Sequence, residues 1–280
     1  MTITIIGIGL VGGSMALDLK NRGFAHKIIG VDNNLNHQNV ALLSKIVDEV
    51  DSLESAVHKA DLIIIATPID AIQKLLPKIL DLTTGSSKVV TDAGSTKAGI
   101  CRLVENHPNR EHYVASHPMA GTEYSGPMAA VSRLFDYKNA IICDKEKSSK
   151  PALRLVKKMY DTLNMKLIYM NSKQHDVSAA YVSHMSHISS FVLSLAVLEK
   201  EQNEKRILNL ASGGFASTVR LAKSSAEMWV PVFEQNSTYI LEVIETYMDK
   251  LQAFKTAIEN NDDEKLKNLI TQANHIQKIL

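Results

Sequence analysis

Four short segments of this 280-residue chain carry the side chains with chemical capacity: TDAGSTK at 91–97, SHPMAGTE at 116–123, HDVSAAYVSHMSHISS at 175–190 and SGGFASTVRLAKSSAEMW at 212–229. His117 directly follows an apolar stretch. A neutral imidazole at the end of a strand can take a proton from a substrate hydroxyl while a hydride leaves the same carbon. The competing reading is a loop histidine held in place by Pro118. Ser95 also follows a predicted strand. It either meets a ligand or caps a helix over TKAGICRLVEN, and one serine can do both. Arg220 could hold a carboxylate bidentately in a cleft, or be an ordinary surface arginine. His184 and His187, three apart, share a helix face. With His175 they could suggest a metal site, but no H-E-x-x-H or cysteine pattern accompanies them. Core packing or interhelix hydrogen bonding is the expectation for them, and no metal is expected.

These residues need a scaffold, and the first half of the chain reads as one. TITIIG is a short run rich in β-branched residues that ends at glycine, as a buried strand does. Gly7, Gly9 and Gly12 follow in G-x-G-x-x-G spacing. The first permits a tight turn, the second lets backbone approach a pyrophosphate, and the third lets a helix pack close to the strand. Leu10 and Val11 open that helix, whose N-terminal N–H groups and dipole favour phosphate. A second strand, HKIIGVD, ends at Asp32, 20 residues beyond Gly12. An acidic residue there bonds the adenosine ribose of NAD. Asn33 and Asn34 follow it, with no adjacent Lys or Arg to receive the 2′-phosphate of NADP. The apolar strand ADLIIIATP brings Thr67 and Pro68 to the same cofactor set. A helix is expected over DAIQKLLPKILDL, kinked or stopped early by Pro77. KVVTDAGSTK, HYVASHP, NAIICD and LRLVKKMYDTLNMKLIYM continue the alternation to about Asn171. The pattern is an α/β, doubly wound Rossmann-type nucleotide-binding domain over residues 1–171.

From Ser172 the strand signal stops, and residues 172–280 are expected to form an all-helical domain for substrate binding and dimerisation. Ile240, Ile244, Tyr247, Leu251, Phe254 and Ile258 make one stripe along a long helix. Asn260–Asp262 then turn and cap a short final helix. The stripe can be buried in its own domain or against a second copy, and a homodimer is the expectation. Lys plus Arg is 31 and Asp plus Glu 30, a net charge of +1, so nucleic acid is not an expected partner. Cys101 and Cys143 read as buried thiols in a reducing cytoplasm. No signal peptide is expected, and no membrane span either, because the apolar stretch Ser183–Leu198 is interrupted by histidines and serines.

Taken together, GIGLVGGSMALDL, DAGSTK, SHPMAGTEYSG, SHMSHISS and GGFASTVRLAKSSAEMW resemble the prephenate dehydrogenase family over nearly the whole chain. That resemblance implies oxidative decarboxylation of prephenate to 4-hydroxyphenylpyruvate with NAD or NADP as hydride acceptor, on the way to tyrosine; Asp32 points to NAD. It implies that His117 and Ser95 meet the ring hydroxyl and that Arg220 binds the substrate's carboxylate. It further implies that His184, His187 and Trp229 line or support the pocket and that Glu123 sits at its mouth. Ser217 and Ser186 depart from the family pattern, which often has an acidic residue and a proline there. Neither departure touches the chemistry. No fused mutase or regulatory domain is expected. An arogenate dehydrogenase would do the same chemistry on an amino analogue, and these motifs do not separate the two. A hydroxyacid dehydrogenase would typically use a lysine from the helical domain. A non-catalytic NAD-binding sensor would not need Ser95, His117 and Arg220 together.

The position of Asp32 generates the first prediction. Turnover with NAD should exceed turnover with NADP, and Asp32→Ala should narrow the gap. An unchanged ratio in initial-rate measurements with the two cofactors would show that Asp32 does not discriminate.

Overall fold

The computed structural model describes residues 1–204 and 206–279. It forms two compact units, Met1–Asn236 and Ser237–Leu280. The first is built on an eight-stranded sheet: β1 Thr2–Ile6, β2 Lys27–Val31, β3 Glu49–Val50, β4 Leu62–Ile65, β5 Val89–Asp92, β6 Tyr113–Pro118, β7 Asn139–Cys143 and β8 Lys166–Met170. The order across the sheet is β3-β2-β1-β4-β5-β6-β7-β8. Strands β1 to β6 run parallel, β7 is antiparallel to β6, and β8 is parallel to β7.

The apolar runs become strands because both faces of the sheet are covered. Ile3, Ile5, Leu62 and Ile64 enter one core cluster, while Ile63, Ile65 and Val90 enter the other. The helices over these faces include α1 Leu10–Asn21, α2 Leu35–Leu43, α3 Leu53–Lys59, α4 Ile69–Leu82, α5 Ala98–Leu103 and α6 Lys150–Thr162. Pro77 lies inside α4 and neither stops nor shortens it, so the early-stop alternative is not met. Burial of Ile72, Leu76, Ile79 and Leu80 holds the helix together across the missing donor.

Beyond β8 the chain is helical. In the first unit come α7 Ser172–Ala179, a π-turn at Ala180–His184, α8 Met185–Asn203, α9 Gly213–Thr218 and α10 Ala226–Gln235. Trp229 and Val232 of α10 close the second core cluster. The continuous helical run Ser172–Gln202 is long and apolar enough, by length and composition, to cross a membrane. That differs from the expectation of no such segment. The serines taken as interruptions return their hydroxyls to the helix itself: Ser186 Oγ donates to Val182 O, Ser189 Oγ to Met185 O and Ser194 Oγ to Ser190 O. The same run carries buried His175, Asp176 and His184, whose hydrogen bonds are described below.

The second unit holds α11 Ser237–Glu259 and α12 Asp263–Asn274. Asn261 takes a left-handed φ of 51°, and Asp262 caps α12 by accepting from Lys265 N at 2.9 Å. The expected long helix, turn and cap are therefore present. Along the α11 stripe, Leu251 and Ile258 are exposed.

The sheet edge that matters is the carboxyl one. Registers Ile6↔Val31, Ile6↔Ile65, Ile65↔Asp92 and Thr91↔Val114 bring the ends of β1, β2, β4, β5 and β6 to one side. There the glycines behave as their spacing requires. Gly7 has φ +92°, and a Cβ on it would sit 2.7 Å from Ala66 O. A Cβ on Gly12 would sit 2.1 Å from Gly7 O, whereas one on Gly9 would meet nothing within 4 Å. Gly12→Ala should therefore cost about 1–3 kcal/mol of stability. Gly9→Ala should cost less than about 1 kcal/mol and impair dinucleotide binding instead. Urea denaturation of both variants checks the contrast, and equal losses would contradict it.

Candidate active site

The crevice at the β1/β4 switch point is built for a dinucleotide. Gly9 caps α1 with no side-chain cap, so the first N–H groups of the helix are left for a ligand. A Cβ on Gly9 would meet nothing within 4 Å, so the space above this helix start is open. Asp32, just past β2, accepts from Ile8 N and Asn34 N, both at 2.9 Å, which fixes its carboxylate at the carboxyl end of that strand. Thr67 follows β4, and its buried Oγ1 has no protein partner. Pro68 caps α4.

Ser95 and His117 leave neighbouring parallel strands, β5 and β6, at the same edge. Ser95 is half-buried in the loop before α5 and does not cap that helix. The cap comes from α7: Asp176 Oδ1 accepts from Lys97 N at 2.7 Å and Oδ2 from Ala98 N at 2.8 Å. The helix-cap reading of Ser95 is therefore not met.

The same carboxylate orients the histidines. Asp176 Oδ1 lies 2.7 Å from His175 Nδ1, and His175 Nε2 lies 2.9 Å from His117 Nδ1. An ionised carboxylate only accepts, so His175 Nδ1 donates to it. In the neutral ring His175 Nε2 must then accept, and His117 Nδ1 donates. The hydrogen of neutral His117 thus sits on Nδ1, leaving Nε2 with a bare lone pair. Burial, with His175 and Lys97 nearby, holds His117 well below the ordinary histidine value, so the ring stays neutral.

Beneath this edge lies a buried polar network. Lys97 Nζ pairs with Asp92 Oδ2 and donates to Ser116 O at 2.8 Å. Tyr113 OH donates to Asp92 Oδ1 at 2.7 Å, and Ser116 Oγ lies 2.6 Å from Tyr160 OH. These bonds lock β5 to β6 directly beside His117.

The remaining expected residues gather from the helical stretch. Arg220 NH1 donates to Glu123 Oε2 at 2.9 Å, joining the loop after β6 to the turn at Arg220–Lys223. Glu123's own backbone N–H and then Arg220 keep that carboxylate below its usual value. Trp229 stacks on His187, with ring centroids 3.6 Å apart, and meets His184 edge-on at 5.9 Å. Burial pushes His184 down to about 4 and also lowers His187. Among the described residues no cluster of three His, Cys, Asp or Glu is placed to hold a metal ion.

Sequence reasoning missed His175, Asp176, Lys97 and Asn236 as parts of the site. His175 and Asp176 sit in the segment singled out, and the adjacent HD pair was the available signal. Lys97 closes the TDAGSTK motif. Nothing local marks Asn236, which acts on residues 52 and 60 positions away.

A family model described as "Prephenate dehydrogenase, nucleotide-binding domain" matches residues 15–169, and one described as "Prephenate dehydrogenase, dimerization domain" matches residues 171–272. The chain belongs to the prephenate dehydrogenase family. It is 32% identical over 267 residues to the prephenate dehydrogenase of Bacillus subtilis (strain 168), spanning 95% of this chain and 72% of that protein. The crystal structure of prephenate dehydrogenase from A. aeolicus in complex with hydroxyphenyl propionate and NAD+ superposes with a TM-score of 0.87 at 28% identity. It covers 100% of this chain and 98% of that one. Synechocystis arogenate dehydrogenase superposes with a TM-score of 0.76 at 27% identity, covering 99% of both chains. The family is one of NAD-dependent oxidoreductases of tyrosine biosynthesis, and a dimerisation domain belongs to it.

Proposed function

We propose that this chain catalyses the NAD-dependent oxidative decarboxylation of prephenate to 4-hydroxyphenylpyruvate, with His117 as the base. The observation that carries this reading is the chain Asp176–His175–His117, which leaves a bare Nε2 on a histidine at the carboxyl edge of the sheet. In this reading residues 1–171 hold the cofactor and residues 172–280 complete the substrate pocket and the dimer.

The glycine loop Gly7–Gly12, with Leu10 and Val11 at the start of α1, would hold the cofactor's pyrophosphate. Asp32 would hold the adenosine ribose, and Thr67 and Pro68 would flank the nicotinamide end. The nicotinamide, when bound, supplies the hydride acceptor. His117 Nε2 takes the proton of the ring hydroxyl as the C–H bond on the same carbon breaks. Ser95 bonds that hydroxyl and keeps it aimed at Nε2. The imidazolium formed on His117 stays hydrogen-bonded through Nδ1–H to His175, with the Asp176 carboxylate behind it, and this offsets the cost of a buried charge. The ring ketone then draws the electron pair of the breaking C–C bond as carbon dioxide leaves. His117 returns the proton to the phenolate oxygen. Arg220 binds the substrate's carboxylate, with Glu123 as its partner at the pocket mouth. Trp229, His184 and His187 form the apolar and hydrogen-bonding wall.

The exposed apolar positions Leu251 and Ile258 on α11, and Val192, Leu195 and Leu198 on α8, support a homodimer, because a second copy would cover them. Cys101 and Cys143 are free and buried, and burial raises both thiols, so they suit a reducing cytoplasm.

The test follows NADH formation with prephenate and, separately, with arogenate. Prephenate should be the better substrate, and turnover of arogenate alone would transfer the reading to the amino analogue. His117→Asn should lower kcat by about 10²–10⁴ with NAD affinity unchanged. Arg220→Ala should act mainly through KM. The base must be neutral to work, and its value is depressed. The acid limb of the wild-type profile should therefore fall below the ordinary histidine value of about 6.5. Near-normal kcat in His117→Asn, with the acid limb intact, would remove His117 as the base.

A further inference from the structure

Asn236, which follows α10, is 2% exposed, and its side chain makes two hydrogen bonds. Its Nδ2 lies 2.8 Å from Asp176 O and 3.0 Å from His184 Nδ1. A backbone carbonyl only accepts, so the atom facing Asp176 O must be the amide nitrogen. That nitrogen has two hydrogens. One goes to Asp176 O and the other points at His184 Nδ1, which therefore accepts. A neutral imidazole with an accepting Nδ1 carries its hydrogen on Nε2. His184 Nε2 is buried with no protein partner, and so is Trp229 Nε1, on the ring that meets His184 edge-on. Each of these two nitrogens is a donor that cannot accept.

We propose that Asn236 is a positioning residue of this site, which holds His184 in the Nε2–H form as a fixed neutral donor for an acceptor oxygen of the ligand, a carbonyl or carboxylate rather than an ammonium. The proposal rests on the reading of this pocket as the substrate site. Asn236 also joins His184 to the backbone of Asp176, the residue that orients His175 and His117. One side chain thus ties the donor on the pocket wall to the base. The ring cannot become a charged donor near neutral pH, because burial pushes it down to about 4. Its titratable neighbours are Asp176, His175 and His187, and of these only Asp176 favours the charged form.

The test reads the proton directly and needs no turnover. In protein labelled with ¹⁵N-histidine, with His184 assigned by loss of its signals in His184→Gln, the wild type should show a bare Nδ1 and a protonated Nε2 from pH 8 to pH 5. Asn236→Asp, nearly the same shape, puts an acceptor where the donor was. It should move the hydrogen to Nδ1 and raise the pH at which His184 titrates. Asn236→Ala should give a mixture of the two tautomers. Both variants should lose about tenfold in kcat/KM, carried by KM, with the acid limb assigned to His117 in place. A purely structural asparagine would lower the melting temperature without moving the tautomer. A proton on Nδ1 of wild-type His184, or an unchanged His184 spectrum in Asn236→Asp, would overturn the proposal. If the spectra behave as expected while neither cyclohexadienyl acid is turned over, the tautomer assignment stands and the functional reading falls.

Discussion

The carboxylate of Asp176 holds the site together. It accepts backbone N–H groups from Lys97 and Ala98 and a ring N–H from His175. The first two bonds cap a helix of the sheet domain with a side chain from the first helix of the all-helical half. A carboxylate at a helix N-terminus is also favoured by the dipole there. The third bond fixes a tautomer, and the tautomer passes through His175 to His117. Removing the carboxylate would therefore loosen α5, release the helix that brings His184 and His187 to the pocket, and leave the hydrogen of His117 free to occupy either nitrogen. One anion thus links the docking of the helices to the identity of the reactive atom.

The electrostatics around it have a consistent direction. His117 and His184 are buried and held neutral, as the base and the donor proposed above would have to be. Two buried carboxylates at this edge are satisfied: Asp92 pairs with Lys97, and Asp176 accepts from three N–H donors. Burying an ion pair brings little net stability, but breaking one strands a charge. The Asp92–Lys97 pair, tied to Ser116 and Tyr113, therefore specifies the relative position of β5 and β6 where Ser95 and His117 leave the sheet.

What could be read in the sequence was mostly local. TITIIG with Gly7, Gly9 and Gly12 announced a strand, a tight turn and a close helix, because backbone sterics at those positions depend on near neighbours. The place of Asp32 just past β2 was legible from the apolar run before it. The α11 stripe and the Asp262 cap follow from periodicity and capping alone. Other features could not be read off the sequence, most of them for nonlocal reasons. Ser95 was a plausible helix cap until Asp176, about 80 residues on, took that role. Pro77 could have stopped α4 early, but the helix runs on to Leu82, with its apolar face buried. The serines of α8 looked like breaks in an apolar stretch, and their hydroxyls turn out to be spent on the helix's own carbonyls. His175 drew attention as a possible metal ligand. Its bond to Asp176 is between adjacent residues and so was legible as the HD pair, but its bond to His117 spans 58 residues and nothing local marks it.

The central claim is that the hydrogen of resting His117 is on Nδ1, so that Nε2 is free to act. Neutron diffraction from a deuterium-exchanged crystal at neutral pH would locate it directly. The account predicts deuterium on His175 Nδ1 and on His117 Nδ1, and none on His117 Nε2. Deuterium on His117 Nε2, with His117 Nδ1 accepting from His175, would contradict it.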